Sequence, residues 1–300
     1  ACQPEKDTQM PSSSFENQEP VSSRLLEQSR QALEEGNLTE ARRMAEEAFV
    51  APDTSPEAAY LLGYILQQQG EHAGAIDKFT MAIQSLPECG RCYNNRALSY
   101  EEIGDPESAE TDLRQAIEID PGLADAYYNL GLMRYMYEDY QEAAALLNQA
   151  VELSPQDSNA WIQLALARQR LDQPAAAITA LDRCIEASHG FNDQAYYLRG
   201  QLFAQMGEFE QAEGDFDAAI AKGLRNADTL YYRGLMRYYQ HDLNGALSDL
   251  LEVVDGYDPN YAEAHYQLAY IYARLDNQDE ARKHAQKALD LDPPQDDPTN

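Results

Sequence analysis

The chain has 300 residues, with 52 acidic against 22 basic side chains and a formal charge of −30. That balance repels nucleic acid and anionic lipid surfaces. Four cysteines are too few for a disulfide-built scaffold, and no apolar run is long enough to span a membrane. Lysine is scarce, five residues against 17 arginines, and acidity of this kind is expected either of a high-salt environment or of a basic partner.

Residues 1–21 are rich in Pro, Ser, Gln and Glu, carry almost no periodic apolar positions, and are expected to be a disordered tail or a tether. From residue 22 onward the apolar spacing is three to four, which predicts helix and not strand. The stretch from Ala124 to Pro155 sets the pattern: two short amphipathic helices, a polar turn at Glu138–Gln141, and a closing proline. A hairpin that short cannot bury its own apolar face and needs copies on either side. The copies recur every 34 or 35 residues, beginning at Ser22, Pro56, Gly90, Ala124, Ser158, Asp193, Ala227 and Ala262.

Within this register, position 8 is always small: Ser29, Gly63, Ala97, Gly131, Ala165, Gly200, Gly234 and Ala269. Small residues are expected where two helices cross closely. Position 20 is alanine in all eight units, from Ala41 to Ala281, and position 32 is proline at Pro87, Pro121, Pro155 and Pro293. The first unit keeps Leu25, Ala41, Ala45 and Ala48 but is otherwise polar, as a cap should be. The second opens on Ser55-Pro56, a sound helix start. The third puts Arg96 where leucine is usual, so its seam is expected to be weak or ion-paired. The fifth holds the single tryptophan, Trp161, at the large position 4, where it should pack in the core. The seventh copies the fourth, Gly131–Tyr135 recurring as Gly234–Tyr238, and the eighth has a polar second helix that suits a C-terminal cap before the tail 294–300.

The period, the small residue at position 8, the alanine at 20 and the proline at 32 resemble the tetratricopeptide repeat family over residues 22–293. The resemblance implies an all-α fold, a right-handed α-solenoid of about eight helix-turn-helix repeats. It also implies a non-catalytic scaffold that holds a peptide or protein in a concave groove. In that family the groove is lined by first-helix positions 2, 5, 9, 12 and 13. Here those positions gather ten of the 20 tyrosines: Tyr60, Tyr64, Tyr128, Tyr135, Tyr197, Tyr231, Tyr238, Tyr239, Tyr266 and Tyr270. Some should simply pack between neighbouring helices. As a set they form the expected partner-binding surface, because tyrosine offers wide contact and a hydroxyl at low entropy cost. That family's carboxylate-gripping version uses lysine and asparagine at set groove positions; here Asn95 and Asn129 stand at position 6, but position 5 has no lysine and position 9 neither lysine nor asparagine, so a chaperone-tail binder of that type is not expected. Arg96, Arg199 and Arg233 at position 7, and Arg134, Arg168 and Arg237 at position 11, are expected to pair with semi-buried acids between repeats.

Three further features bear on function. Ala1-Cys2 looks like the end of a bacterial lipoprotein signal, with Cys2 the lipid-bearing residue. That would make the chain a lipid-anchored envelope assembly factor or adaptor, whereas without the lipid it is expected to be soluble and cytoplasmic. Cys89-Gly90-Arg91-Cys92 opens a helix and reads as a local disulfide or a pair of free thiols; a redox dithiol lacks its usual sheet, and a metal site lacks a second pair. His72, His189, His241, His265 and His284 stand at no ligand spacing, and Glu138-Asp139 is an exposed turn pair of weak cation affinity at most. No catalytic residue, metal or cofactor is expected, nor a nucleic-acid partner. The alternative to a groove-binding scaffold is a structural module that forms homo-oligomers through its end repeats or convex face.

Overall fold

The computed structural model describes residues 20–292, which leaves Cys2 and Pro293 outside the described residues. The described residues hold sixteen α-helices: α1 (Val21–Glu34), α2 (Leu38–Val50), α3 (Pro56–Gln68), α4 (His72–Ser85), α5 (Gly90–Glu102), α6 (Pro106–Ile119), α7 (Ala124–Met136) and α8 (Tyr140–Leu153), then α9 (Ser158–Arg170), α10 (Pro174–Ala187), α11 (Asp193–Gln205), α12 (Phe209–Lys222), α13 (Ala227–Tyr239), α14 (Leu243–Glu252), α15 (Ala262–Arg274) and α16 (Gln278–Leu291). This is an all-α solenoid of about eight tandem helix-turn-helix repeats, with no strand among the described residues. By packing, the chain falls into two compact units, the first ending at Ala126 and the second beginning at Tyr127.

The same steric rule builds the hairpins of both units. In the first unit, a Cβ placed on Gly63 would come within 2.9 Å of the Phe79 ring. In the second, a Cβ on Gly131 would meet Leu147 at 2.8 Å, and one on Gly200 would meet Phe216 at 3.1 Å. Position 8 is therefore small because position 24 fills its space. The position-20 alanines from Ala41 to Ala246 are fully buried, and Ala281 nearly so. The core of the first unit collects Leu26, Leu62, Ile65 and Phe79. In the second, Leu147, Leu164 and Leu181 form one cluster and Leu230, Leu250 and Leu268 another.

Each hairpin turns through position 15 in the left-handed region, at φ between 56° and 81°. The next residue's N–H reaches back to the carbonyl of position 11, as Asp105 does to Tyr100 at 2.9 Å and Asp139 to Arg134 at 2.9 Å. This is a helix-ending turn that favours glycine. Gly36, Gly70, Gly104 and Gly207 meet the requirement, while Glu138, Asp172, His241 and Asp276 hold the same conformation against their side chains. An L residue in this region costs about 1–2 kcal/mol, partly offset by the flexibility a glycine adds to the unfolded chain. Glu138→Gly is therefore expected to stabilise the protein by roughly 0.5 kcal/mol or more, and Gly104→Ala to destabilise it by about 1 kcal/mol. Thermal unfolding of the two variants against wild type checks both signs.

The two 35-residue repeats absorb their extra residue differently. In the fifth it lies in the Ser188–Phe191 loop, where His189 and Gly190 take positive φ. In the seventh, α14 passes into a π turn, Val253–Tyr257, that keeps Val253 and Val254 buried. One wider turn restores the packing phase without breaking the helix.

Candidate functional site

The ten groove-position tyrosines divide by burial. In the first unit Tyr60 is half-buried, lies against Phe79 with ring centroids 5.9 Å apart, and accepts a hydrogen bond from Asn95 Nδ2 at 3.1 Å. Tyr64 packs against the same core. In the second unit Tyr128 and Tyr135 pack on the α8–α10 core. Tyr197 lies edge-on to Phe216 and Tyr232, and its hydroxyl accepts from Gln201 Nε2 at 3.0 Å. Burial pushes the Tyr197 and Tyr231 hydroxyls up to about 12. Tyr238 faces the Arg274 guanidinium at 5.6 Å. The remaining three are about half exposed: Tyr239 at 48%, Tyr266 at 53% and Tyr270 at 51%. Tyr239 stacks on Phe209 at 4.7 Å. Tyr266 and Tyr270 pair at 5.2 Å on the last first helix.

Those two rings wall a cavity of about 730 Å³, floored by Ala269, Ala273, Ala285 and Leu289 and reached by Tyr231. Glu263, Arg282 and Asp292 supply its charged rim. Only part of this cavity was anticipated. Its tyrosines occupy family groove positions, but half of its floor, Ala285 and Leu289, comes from α16, which the sequence reads as a polar cap.

The position-7 arginines do not face a ligand. Each grips the aspartate at position 23 of its own repeat through two nitrogens and reaches one repeat back with the third. Arg199 binds Asp215 at 2.8 and 2.6 Å and Asp182 at 2.5 Å. Arg233 binds Asp249 at 2.9 and 2.6 Å and Asp217 at 2.7 Å. In the first unit Arg96 binds Asp112 at 2.7 and 2.8 Å and Thr80 at 2.9 Å. Arg237, at position 11, adds Asp249 at 2.9 Å and Glu213 at 2.8 Å. The expected pairing between repeats is thus joined by a two-nitrogen pairing within each of these three repeats. Burial raises the Asp215 carboxyl above the ordinary carboxylate value even with Arg199 beside it, which marks how much desolvation these pairs carry.

Cys89 and Cys92 are joined in a disulfide, and Cys184 is buried with a free thiol. Asp139 caps α8 by accepting the Glu142 N–H at 3.2 Å, which occupies one half of the turn pair considered as a cation site. Among the described residues no group of three or more His, Cys, Asp or Glu is placed to hold a metal ion.

Two histidines meet where spacing gave no hint of it. His265 and His284 approach Nδ1 to Nδ1 at 2.8 Å, and His265 Nε2 lies 3.1 Å from the Pro259 carbonyl. With Nε2 donating to that carbonyl, His265 Nδ1 accepts from the Nδ1–H of His284. Tyr272 stacks on His284, and Glu280 lies 3.8 Å from its Nε2. Burial first, then the fields of His265 and Lys283, hold His284 below the ordinary imidazole value, against Glu280 and Asp255. The unfolded chain protonates His284 as pH falls through about 6.5, while the folded chain resists. Stability present at neutral pH is therefore lost as pH drops from there toward the lowered folded value. Hydrogen-exchange protection factors of α16 are expected to fall between about pH 7.5 and about pH 5.5 in wild type. The decline should be clearly smaller in His284→Gln, and an equal decline would assign the effect to other groups.

A tetratricopeptide repeat model matches residues 26–88, 94–158 and 197–252, more than half of the chain. Two further tetratricopeptide repeat models match residues 262–294 and 135–202. Among solved structures the chain is similar to YrrB, a TPR protein with an unusual peptide-binding site, at 26% identity over 62% of this chain and 95% of that one, with a TM-score of 0.56. It is also similar to Pseudomonas aeruginosa pilF, at 20% identity over 78% of this chain and 98% of that one, TM-score 0.58. A tetratricopeptide repeat protein from Parabacteroides merdae ATCC 43184 matches at 19% identity over 90% and 99%, TM-score 0.54. The last two likenesses concern the fold alone. No curated protein matches. On its repeats and on these matches, the chain belongs to the tetratricopeptide repeat family.

Proposed function

We propose that the chain is a binding scaffold that holds a basic, apolar-faced peptide segment of a partner protein on its tyrosine-bearing first helices. The strongest subsite of this reading is the last repeat. TPR proteins generally act as protein–protein interaction scaffolds, and YrrB, the 26%-identical relative, carries a peptide-binding site. The observation that carries the reading is the exposed Tyr266–Tyr270 pair beside an apolar-lined cavity of about 730 Å³. Such a cavity takes an aliphatic or aromatic anchor, and tyrosine walls suit a contact hot spot. The formal charge of −30 favours a cationic segment and faster encounter with it.

The test is selection of a random peptide library on the immobilised protein. Enrichment of peptides that combine lysine or arginine with one or two large apolar residues supports the proposal. Failure to enrich any peptide, together with a molar mass that grows with protein concentration, would overturn it in favour of self-association.

A further inference from the structure

Cys89 caps the N-terminus of α5, and its sulfur lies 3.2 Å from the Cys92 N–H. Cys89 is half-buried, while Cys92 is 1% exposed. The bond between them forms part of the wall of a cavity of about 440 Å³. The cavity also takes in Tyr60, Ala82 and Leu86, with Glu57 and Arg91 as its charged members. One sulfur is thus open to an incoming group beside a space that can hold an apolar side chain, and the other is shielded.

We propose that Cys89–Cys92 is a thiol–disulfide exchange site that accepts a cysteine thiol of a partner polypeptide seated in this cavity. This goes beyond the peptide reading at the last repeat and can stand or fall apart from it. The partner's thiolate attacks Cys89 Sγ, and a bond forms between those two sulfurs. The Cys89–Cys92 bond breaks, Cys92 leaves with the electron pair, and it takes a proton from solvent to become a thiol. The product is a mixed disulfide through Cys89. If the partner carries a second thiol, its thiolate attacks the partner sulfur of that bond and releases Cys89 as a thiolate. The partner then holds a disulfide and the chain two thiols, a transfer of two electrons that is stoichiometric with the protein. Access to the cavity favours Cys89 as the sulfur that is attacked, because exchange depends on which sulfur is reached. The Cys92 N–H and the α5 dipole stabilise a Cys89 thiolate and so favour its release in the second step.

The experiment uses the full chain in its oxidised form. It is mixed with two probes, glutathione and a short peptide with leucine beside a single cysteine, then quenched in acid and mapped by mass spectrometry. The control is the isolated tetrapeptide Cys-Gly-Arg-Cys closed by its own disulfide. The proposal expects probe attached at Cys89 and not at Cys92, formed at least tenfold faster from the leucine peptide than from glutathione after correction against the control. Cys92→Ser, which leaves Cys89 as a free thiol, should be alkylated with a midpoint below that of an ordinary cysteine, about 8.5. Attachment at Cys92, or equal rates for the two probes after correction, would overturn the proposal. Should Cys92→Ser fail to fold, as read by circular dichroism, the wild-type mapping decides alone.

Discussion

Asp249→Ala is expected to cost about 3–5 kcal/mol, the range for removing one partner of a buried ion pair. Asp249 is 2% exposed and takes three hydrogen bonds, two from Arg233 and one from Arg237. Without it Arg233 keeps only the half-exposed Asp217, and Arg237 falls back on Glu213. The loss should be local, because repeats are stabilised by themselves and their neighbours. Exchange protection should collapse first in α13 and α14. The pair itself is not expected to add much net stability, since desolvating both ions offsets their attraction. Changing Arg96 and Asp112 together to leucine reproduces the Leu130 and Leu146 found at the same positions of the fourth repeat. That double variant should fall within about 1.5 kcal/mol of wild type, the range for well-packed replacement. Asp112→Ala alone should lose roughly 3 kcal/mol. Denaturant unfolding of the three proteins decides it, and additive losses in the double variant would contradict the argument.

The second large effect concerns binding. Tyr266→Ser combined with Tyr270→Ser should weaken capture of a selected peptide by about 10- to 100-fold, from loss of one or two aromatic hot-spot contacts. Fold should be retained, because both side chains are about half exposed. Serine at Tyr231 or Tyr197 is a poorer test. Those rings are packed against other aromatics, and their loss would confound binding with stability. Raising salt should weaken wild type and variant by the same factor if the acidic surface acts through long-range attraction. Equal affinity of variant and wild type, measured by calorimetry, would remove the last repeat from the binding surface.

Much of the fold was legible because it follows from steric exclusion, which writes itself into residue size. Gly63 faces Phe79 and Gly131 faces Leu147, so a small residue recurs at one position and a large one 16 residues later. The left-handed backbone was legible where glycine fills position 15 and not at Glu138, Asp172, His241 and Asp276, although the polar turn at Glu138–Gln141 itself could be read. The arginine pairing was written in the chain but at a spacing that helical periodicity does not highlight. Arginine at position 7 comes with aspartate at position 23 in the third, sixth and seventh repeats, and the other repeats carry neither. The His265–His284 contact joins positions 4 and 23 of the eighth repeat, 19 residues apart on two helices, which is why no ligand spacing revealed it. The π turn at Val253–Tyr257 left no mark because its residues fit an ordinary helix end. Tyrosine roles were legible least of all. One set of positions supplies packed rings such as Tyr197 and exposed rings such as Tyr270, and only the neighbours decide which.

The most direct measurement is photo-crosslinking of a selected peptide, with a photoreactive group at its apolar anchor, followed by mapping of the attached residues. If the last repeat holds the anchor, the crosslinks fall on Tyr231, Tyr266, Tyr270 and Leu289, the side chains around the 730 Å³ cavity. Crosslinks confined to residues outside its lining, such as Arg225 and Glu252, would contradict the assignment and move the binding surface elsewhere on the chain.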